Sequence, residues 1–364
     1  MIIDVITRHI PSNYGSLLQS IASIKVLERM GHDVSIIDYV RPDDLGLKKV
    51  WTEARLKGGS IAKKMVYVFI RYPIEKIAEL RFNRMRKKYL KTTSRYRSLD
   101  GLSALKADVF MTGSDQVWGP MVSGKYDLAY FLSFVESGKK VAYAASFGKS
   151  VLDQCAEEMC KQMLASYDKI TIRENSALLF IEKWGLKKCY GQVLDPSLLL
   201  SSGEWKEMFG IKDELKDPYI LVYQIHNDKS LSEYAKNLAN YKKLKLIRVS
   251  PFLHQCIRGG NFHLCPDVKG FLTLINNATY IVTDSFHGTC FSVNFNKQFV
   301  EILPNNATGT RNQSILTLVG LSSRIILDYS DFSIVDRMID YDSVNKILKT
   351  ERARCLQVMS SLLD

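Results

Sequence analysis

The sequence predicts two doubly wound α/β domains in succession, facing a cleft, and three observations predict it. Short apolar runs of strand type alternate with runs of helical spacing along the 364 residues. The alternation breaks once, over Asp195–Pro218, which holds two prolines and little periodicity, and then resumes. Finally, clusters of small and polar residues follow the ends of strand runs, where open sheets of this class take their ligands.

The first domain, residues 1–194, opens on a strand at Ile2–Ile6. Gly15–Met30 is a helix: Leu17, Leu18, Ile21, Ile24 and Leu27 share a face, and Gly31 stops it. Val34–Asp38 is the second strand, and residues 45–97 form a basic helical insert. Val109–Thr112 and Val141–Ala145 read as buried strands. Ser150 caps a helix to Ser166, Ile170–Ile172 is a strand, Glu174–Trp184 a helix ended by Gly185, and Val193–Leu194 closes the domain. Residues 195–218 are the linker. The second domain, 219–342, has strands at Tyr219–Gln224, Leu244–Val249, Tyr280–Thr283, Phe299–Ile302 and Arg324–Leu327. Its helices are Leu231–Tyr241, Phe271–Ala278, Gly288–Phe295 and Ser314–Val319, with a long loop to Pro266 and another over Pro304–Asn312. Residues 343–364 are a C-terminal helix.

Charge is distributed unevenly. The net charge is +12, and the sixteen Lys/Arg and three acids between Lys48 and Arg97 carry all of the excess. Within that segment Ile61, Met65, Val68, Phe69 and Tyr72 recur at helical spacing among cations such as Lys63, Lys64 and Arg71. A basic amphipathic helix suits an anionic membrane surface; a hairpin packing its apolar face on the domain is the plainer reading. No nucleic-acid motif accompanies the charge. No apolar run approaches the ~18 residues of a membrane span, Met65–Ile70 being the longest clear one. The Met1–Val5 start lacks the pattern of a signal peptide, so a cytoplasmic chain is expected. Seven scattered cysteines without a CxxC pair read as reduced thiols, and neither metal nor cofactor is expected.

Five constellations could do chemistry. Asn13, Gly15, Ser16 and Gln19 stand between the first strand and helix, where helix amides meet an anion or a plain capping turn forms. Ser114, Asp115, Gln116 and Trp118 follow the third strand with the polar groups and aromatic face of a sugar site; a turn with Asp115 capping a helix is the alternative. Ser146 and Lys149 follow the next strand, and Lys149 could meet a phosphate. Arg173 ends a short strand, able to grip a carboxylate or phosphate bidentately or to pair with Glu174. Asp284, Ser285, Phe286, His287, Gly288 and Thr289 run from strand through a polar turn into a Gly-led helix. Such a turn cradles a phosphate, and His287 can carry charge or move a proton near neutral pH. His226, after its own strand, is the next-best histidine. Asp340-Tyr341-Asp342 is better read as a helix cap than as a metal motif.

In that order, Asn13-Tyr14-Gly15-Ser16…Gln19, Gly113-Ser114-Asp115-Gln116-Val117-Trp118, Tyr143-Ala144-Ala145-Ser146-Phe147-Gly148, Arg173-Glu174, Asp195-Pro196 and Asp284-Ser285-Phe286-His287-Gly288 resemble the polysaccharide pyruvyl transferase family. The resemblance implies a GT-B-like pair of Rossmann-type domains, the first on the acceptor side and the second on the donor side. It implies phosphoenolpyruvate as co-substrate, and a pyruvate ketal formed on a sugar of a capsule or exopolysaccharide. It places Arg173 and His287 at the donor. Many members carry an arginine where this chain has Ser285, so either another cation, with Arg311 and Lys149 as candidates, anchors the donor, or the donor differs. His287 is then the acid or phosphate ligand, and Asp115 the base or the group that orients the acceptor. The basic insert would hold the chain at the inner face of the cytoplasmic membrane, where a polyprenyl-diphosphate-linked, galactose-type acceptor lies. The alternative is a GT-B glycosyltransferase with a nucleotide-sugar donor.

Overall fold

The structure is a computed structural model and describes residues 1–41, 44–214, 217–304 and 309–364. The chain divides into two units: Met1–Leu199 with Arg354–Asp364, and Leu200–Ala353.

In the first unit, β-branched residues make β1 (Ile2–Ile6). The Asn13 side chain then accepts hydrogen bonds from the Gly15 and Ser16 amides and starts α1 (Tyr14–Arg29), which ends before Gly31 at φ +86°. There follow β2 (Asp33–Ile36), α2 (Gly46–Leu56), α3 (Ile61–Tyr89), α4 (Leu99–Leu102), β3 (Val109–Thr112) and β4 (Lys139–Ala145). The unit continues with α5 (Gln154–Leu164), β5 (Lys169–Ile172), α6 (Asn175–Lys183), β6 (Cys189–Gln192) and α7 (Pro196–Leu199). Among the described residues the sheet is parallel, ordered β2-β1-β3-β4-β5-β6. The strand order reverses between β1 and β3, the position at which doubly wound sheets open a crevice. An aromatic core of Phe110, Trp118, Phe131, Phe147 and Tyr167 is buried in this unit.

The basic insert is the hairpin of α2 and α3. Buried Glu75 of α3 accepts from Lys49 of α2 at 2.9 Å and pairs with Arg71 at 2.5 Å, and Glu79 accepts the Gly46 amide at 2.7 Å. Only the second half of α3 is covered, through Ala78, Phe82 and Met85. Of the expected apolar face in its first half, Ile61, Met65 and Phe69 stay exposed, Phe69 at 82%, while Val68 and Tyr72 are half-buried. The plainer reading, an apolar face packed on the domain, therefore fails for that half.

In the second unit, Ser201 and Glu204 form a capping box for α8 (Ser202–Phe209). Next come β7 (Tyr219–Tyr223), α9 (Lys229–Lys242), β8 (Lys245–Ser250), β9 (Asn261–Leu264), α10 (Val268–Asn277), β10 (Tyr280–Thr283), α11 (Phe286–Asn294), β11 (Gln298–Glu301), α12 (Thr310–Leu318) and α13 (Tyr341–Leu363). The sheet is again parallel, ordered β11-β10-β7-β8-β9, and its reversal lies between β7 and β10. The end of α13 returns to the first unit, where the Leu194 amide donates to Cys355 Sγ at 3.3 Å and Arg354 to the Gln192 carbonyl at 2.8 Å.

Some expectations need correction. The stretch expected as a linker, 195–218, contains the boundary between the two units at Leu199–Leu200, but it is not without structure: α7 and α8 form in it, with Leu198 and Trp205 fully buried. The loop expected before Pro266 contains β9, which adds to the sheet edge beside β8. Arg324–Leu327 is no strand: it meets β11 through a single bridge from Ile325 to Glu301. Asp153, not Ser150, caps α5. The loop expected over Pro304–Asn312 lies partly outside the described residues.

Candidate functional site

In the first unit, four of the sequence clusters converge at the carboxyl ends of β1, β3, β4 and β5. Ser16 Oγ, in the first turn of α1, donates to Asp115 Oδ2 at 3.0 Å. Arg173 Nη2 donates to Asp115 Oδ1 at 3.2 Å, and Nη1 to Asp195 Oδ2 at 3.0 Å. Glu174 lies 3.8 Å from Arg173 Nε. Arg173 is 3% exposed. Burial pulls its guanidinium down, but the fields of Asp115, Asp195 and Glu174 outweigh burial and hold the charge more firmly than in water. The donor grip expected of Arg173 is thus replaced by a buried ion cluster: the fork that would hold a phosphorylated acid already holds carboxylates.

Local backbone makes this convergence possible. Gly113 sits at φ +109°, and a Cβ there would run into the Tyr143 carbonyl of β4. Asp115 adopts φ 78°, a conformation few non-glycine residues take, held by Ser16, Arg173 and the Gln116 amide at 2.8 Å. Several expected acceptor contacts are spent internally. Trp118 is fully buried, stacked on Phe131 and tilted against Phe147, so its face is core and not a sugar platform. Gln19 donates to Thr7 Oγ1 at 2.8 Å and ties α1 to the end of β1. Ser146 donates to Glu174 at 2.8 Å, Ser114 reaches Asp195 at 2.8 Å, and Asn13 is the α1 cap. Gly15 is the amide that Asn13 caps. Asp115 and the half-exposed Gln116 remain at the crevice, and Lys149 is exposed.

In the second unit, the Asp284–Thr289 turn stands at the reversal between β7 and β10. Asp284 is buried and accepts the Ile225 amide at 2.7 Å and the His226 amide at 2.9 Å. It therefore fixes the chain leaving β7 against the chain leaving β10. Ser285 caps α11, accepting the Gly288 amide at 3.2 Å. A side chain at Gly288 would strike Thr283 and sit 3.1 Å from the Tyr223 ring, so only glycine lets α11 approach the sheet this closely. His287 lies in the first turn of α11, its ring edge-on to Phe286. Arg311 of α12 stands 5.8 Å over the face of Phe286. A cavity of about 280 Å³ opens beside Asp284, lined also by His226, Asn227, Asp228 and Leu303. Thr289, expected to hold phosphate, instead bonds Glu301 and the Ser285 carbonyl beneath the turn.

The structure brings the next-best histidine to the same turn and adds residues that the sequence did not single out. His226 Nδ1 lies 3.4 Å from Asp284. Arg258 bonds Asn227, and its charge is felt by Arg248. Burial pulls the Arg248 guanidinium down to about 10, with Arg258 adding to the fall and Asp284 opposing it. Glu301 is buried and bonded to Thr289 and Asn312. An acid inside the apolar run Phe299-Val300-Glu301-Ile302 was the sequence signal for it. Asp340 caps α13, accepting from the Asp342 amide at 3.1 Å. Among the described residues no cluster of His, Cys, Asp and Glu could hold a metal.

Comparison with solved structures places the fold. A Listeria monocytogenes crystal structure named for UDP-N-acetylglucosamine 2-epimerase superposes with TM-score 0.51 at 10% identity, over 98% of this chain and 90% of that one. UDP-GlcNAc 2-epimerase from Methanocaldococcus jannaschii, in complex with UDP-GlcNAc and UDP, matches with TM-score 0.49 and 14% identity over 99% and 100%. E. coli heptosyltransferase WaaC with ADP matches with TM-score 0.41 and 10% identity over 96% and 100%. The Listeria likeness is one of fold alone, two parallel α/β units of the GT-B class. No curated protein matches the sequence. The family model for polysaccharide pyruvyl transferase matches residues 13–306, most of the chain, and the chain accordingly belongs to that family of transferases.

Proposed function

We propose that the chain moves the pyruvyl group of phosphoenolpyruvate onto two hydroxyls of a saccharide, forming a cyclic ketal and releasing phosphate. The observation that carries this reading is the Asp284–Thr289 turn at the strand reversal, which puts His287 in the first turn of α11 and Asp284 in the wall of a cavity. Such a helix start favours an anion. Protonation of the donor's methylene carbon makes a methyl group and puts cationic character on C2. One sugar hydroxyl bonds C2 and loses its proton; the C2–O bond to phosphate breaks; a neighbouring hydroxyl closes the ring and loses the second proton. His287 is the acid for that first proton or the phosphate ligand. The cations for phosphate and carboxylate come from this same unit, Arg311 over Phe286 and Arg258 beside Asn227, in place of the arginine that Ser285 lacks. In the first unit, Asp115 and Gln116 orient the acceptor. Asp115 acts there as a fixed acceptor of hydrogen bonds, since Ser16 and Arg173 already hold its carboxylate.

The test is incubation with phosphoenolpyruvate and lipid-linked galactose-type acceptors, read by mass. His287→Ala should lose roughly 10²- to 10⁴-fold in turnover while keeping its fold. Full turnover in that variant would refute the role. Phosphoenolpyruvate should raise the melting temperature; a rise with nucleoside diphosphates alone would favour the glycosyltransferase reading instead.

We further propose that the α2–α3 hairpin docks on the cytoplasmic face of a membrane bearing a polyprenyl-diphosphate-linked acceptor. Support comes from Ile61, Met65 and Phe69, exposed among cations on the free half of α3. Vesicles containing anionic lipid should bind the chain, and added salt should release it. Binding indifferent to both salt and lipid charge would contradict the docking. Among the described residues no helix is long and apolar enough to cross a membrane.

A further inference from the structure

A second cavity, of about 330 Å³, lies in the second unit away from the Asp284 turn, lined among others by Gly320, Arg324, Ile334, Arg337 and Ser343. It sits toward the amino end of β11, where the Ile339 amide donates to Gln298 at 3.0 Å and Tyr341 to the Lys297 carbonyl. Arg324 forms its floor and is 3% exposed. Nε donates to the Phe299 carbonyl at 2.8 Å, and Nη1 to the Ile334 and Arg337 carbonyls at 2.7 and 2.8 Å. Nη2 is buried with no hydrogen-bond partner among the described residues. No carboxylate pairs with Arg324 among the described residues either; every group it bonds is a neutral carbonyl. A buried guanidinium with an idle N–H group and no counter-charge is costly unless an anion completes it. Arg337 adds a second cation at the same cavity, close enough to weigh against the charge on Arg324. The first turn of α13 lines the cavity as well, through Asp340, Ser343 and Val344. Asp340 is the one acid there, and it is turned to the helix start, accepting the Asp342 amide and Ser343 Oγ.

We infer that this cavity is an anion-binding site, distinct from the Asp284 turn, taking the phosphate or carboxylate head of a small ligand on Arg324 and Arg337 and its apolar body against Ile334 and Val344. The head completes Nη2 of Arg324, and the second cation at Arg337 favours a dianion.

Hydrogen exchange of the full chain tests this, with inorganic phosphate and acetate as separate probes at constant ionic strength. Phosphate should slow exchange over residues 321–344, and it should do so equally in His287→Ala, where donor-turn binding is impaired. Protection by acetate in place of phosphate assigns a carboxylate head and equally supports the site. Arg337→Gln, at an exposed position, should weaken the protection about tenfold, the loss of one charge-assisted contact. Arg324→Lys should abolish it; if that variant does not fold, Arg337→Gln still decides. Failure of both anions to protect 321–344, protection confined to 284–289, or full protection in Arg337→Gln would overturn the inference.

Discussion

Arg173→Met should cost the first unit about 3–5 kcal/mol of stability, the penalty for breaking a buried ion pair from one side. The replacement has nearly the right volume and no charge. It leaves Asp115, Asp195 and Glu174 facing one another in the interior, where Arg173 Nη1 lay 3.0 Å from Asp195 and Nη2 3.2 Å from Asp115. Each carboxylate keeps some partners: Ser197 donates to Asp195 at 2.7 Å, and Ser146 to Glu174 at 2.8 Å. Hydroxyls cannot balance three charges, however, and the site must protonate or open. Arg173→Lys keeps the charge and loses the fork, so it should fall between the two. Arg173→Met combined with Asp195→Asn should recover part of the loss, because one unpaired charge disappears with its partner. Urea denaturation followed by tryptophan fluorescence measures this, since buried Trp118 reports on the same unit. A loss below about 1 kcal/mol, the scale of an exposed pair, would mean that the cluster is not the keystone its burial suggests.

This ion cluster also shows where the sequence stopped being legible. Periodicity located β1, α1, β10 and α11, each within a few residues of where it stands. The strand orders, and so the two reversal points, were not in it, because alternation of elements does not say which strands lie side by side. Of the partners of Arg173, the sequence offered only its neighbour Glu174. Asp115 is 58 residues away and Asp195 22, and nothing local distinguishes an arginine that meets a ligand from one that meets three acids. Trp118 misled for a related reason. An aromatic beside polar groups is the composition of a sugar platform, yet its ring turned inward to Phe131 while Asp115 stayed at the edge. The helices α7 and α8 within the expected linker were missed because Asp195–Pro218 is polar on average, whereas Leu198 and Trp205 within it are fully buried. Averages over a window hide the one or two side chains that decide packing.

Glu301→Gln should make the second unit less sensitive to rising pH, while Glu301→Ala should destabilise it at every pH. The argument begins with one hydrogen. Thr289 Oγ1 lies 3.1 Å from the Ser285 carbonyl and also against Glu301, but a hydroxyl can donate to only one acceptor. A protonated Glu301 resolves the conflict: its O–H donates to Thr289, Thr289 donates to Ser285, and Asn312 donates to the other carboxyl oxygen. Burial is the main cause that pushes this carboxyl well above its ordinary range, and Asp284 pushes the same way; the bonds from Thr289 and Asn312 only partly oppose them. The sign follows. The folded chain keeps a proton that the unfolded chain releases near 4.5, so the contribution is complete below that pH. It is lost as pH rises toward the folded-state value, at a slope of about 1.4 kcal/mol per pH unit for one proton. Glutamine reproduces the neutral pattern, Nε2 donating to Thr289 and Oε1 accepting from Asn312. It should match the wild type within about 1 kcal/mol in acid and exceed it in mild alkali. Alanine leaves a cavity and unpaired polar groups beneath the turn that carries His287, a cost of roughly 2–4 kcal/mol. Turnover should fall with it, because Thr289 and Ser285 lose their anchor. Denaturation midpoints of wild type and Glu301→Gln, compared across pH, isolate this one group from every other that titrates. Parallel curves for the two proteins would show that Glu301 is ionised in the folded state, and the hydrogen-bond order under α11 would have to be reversed.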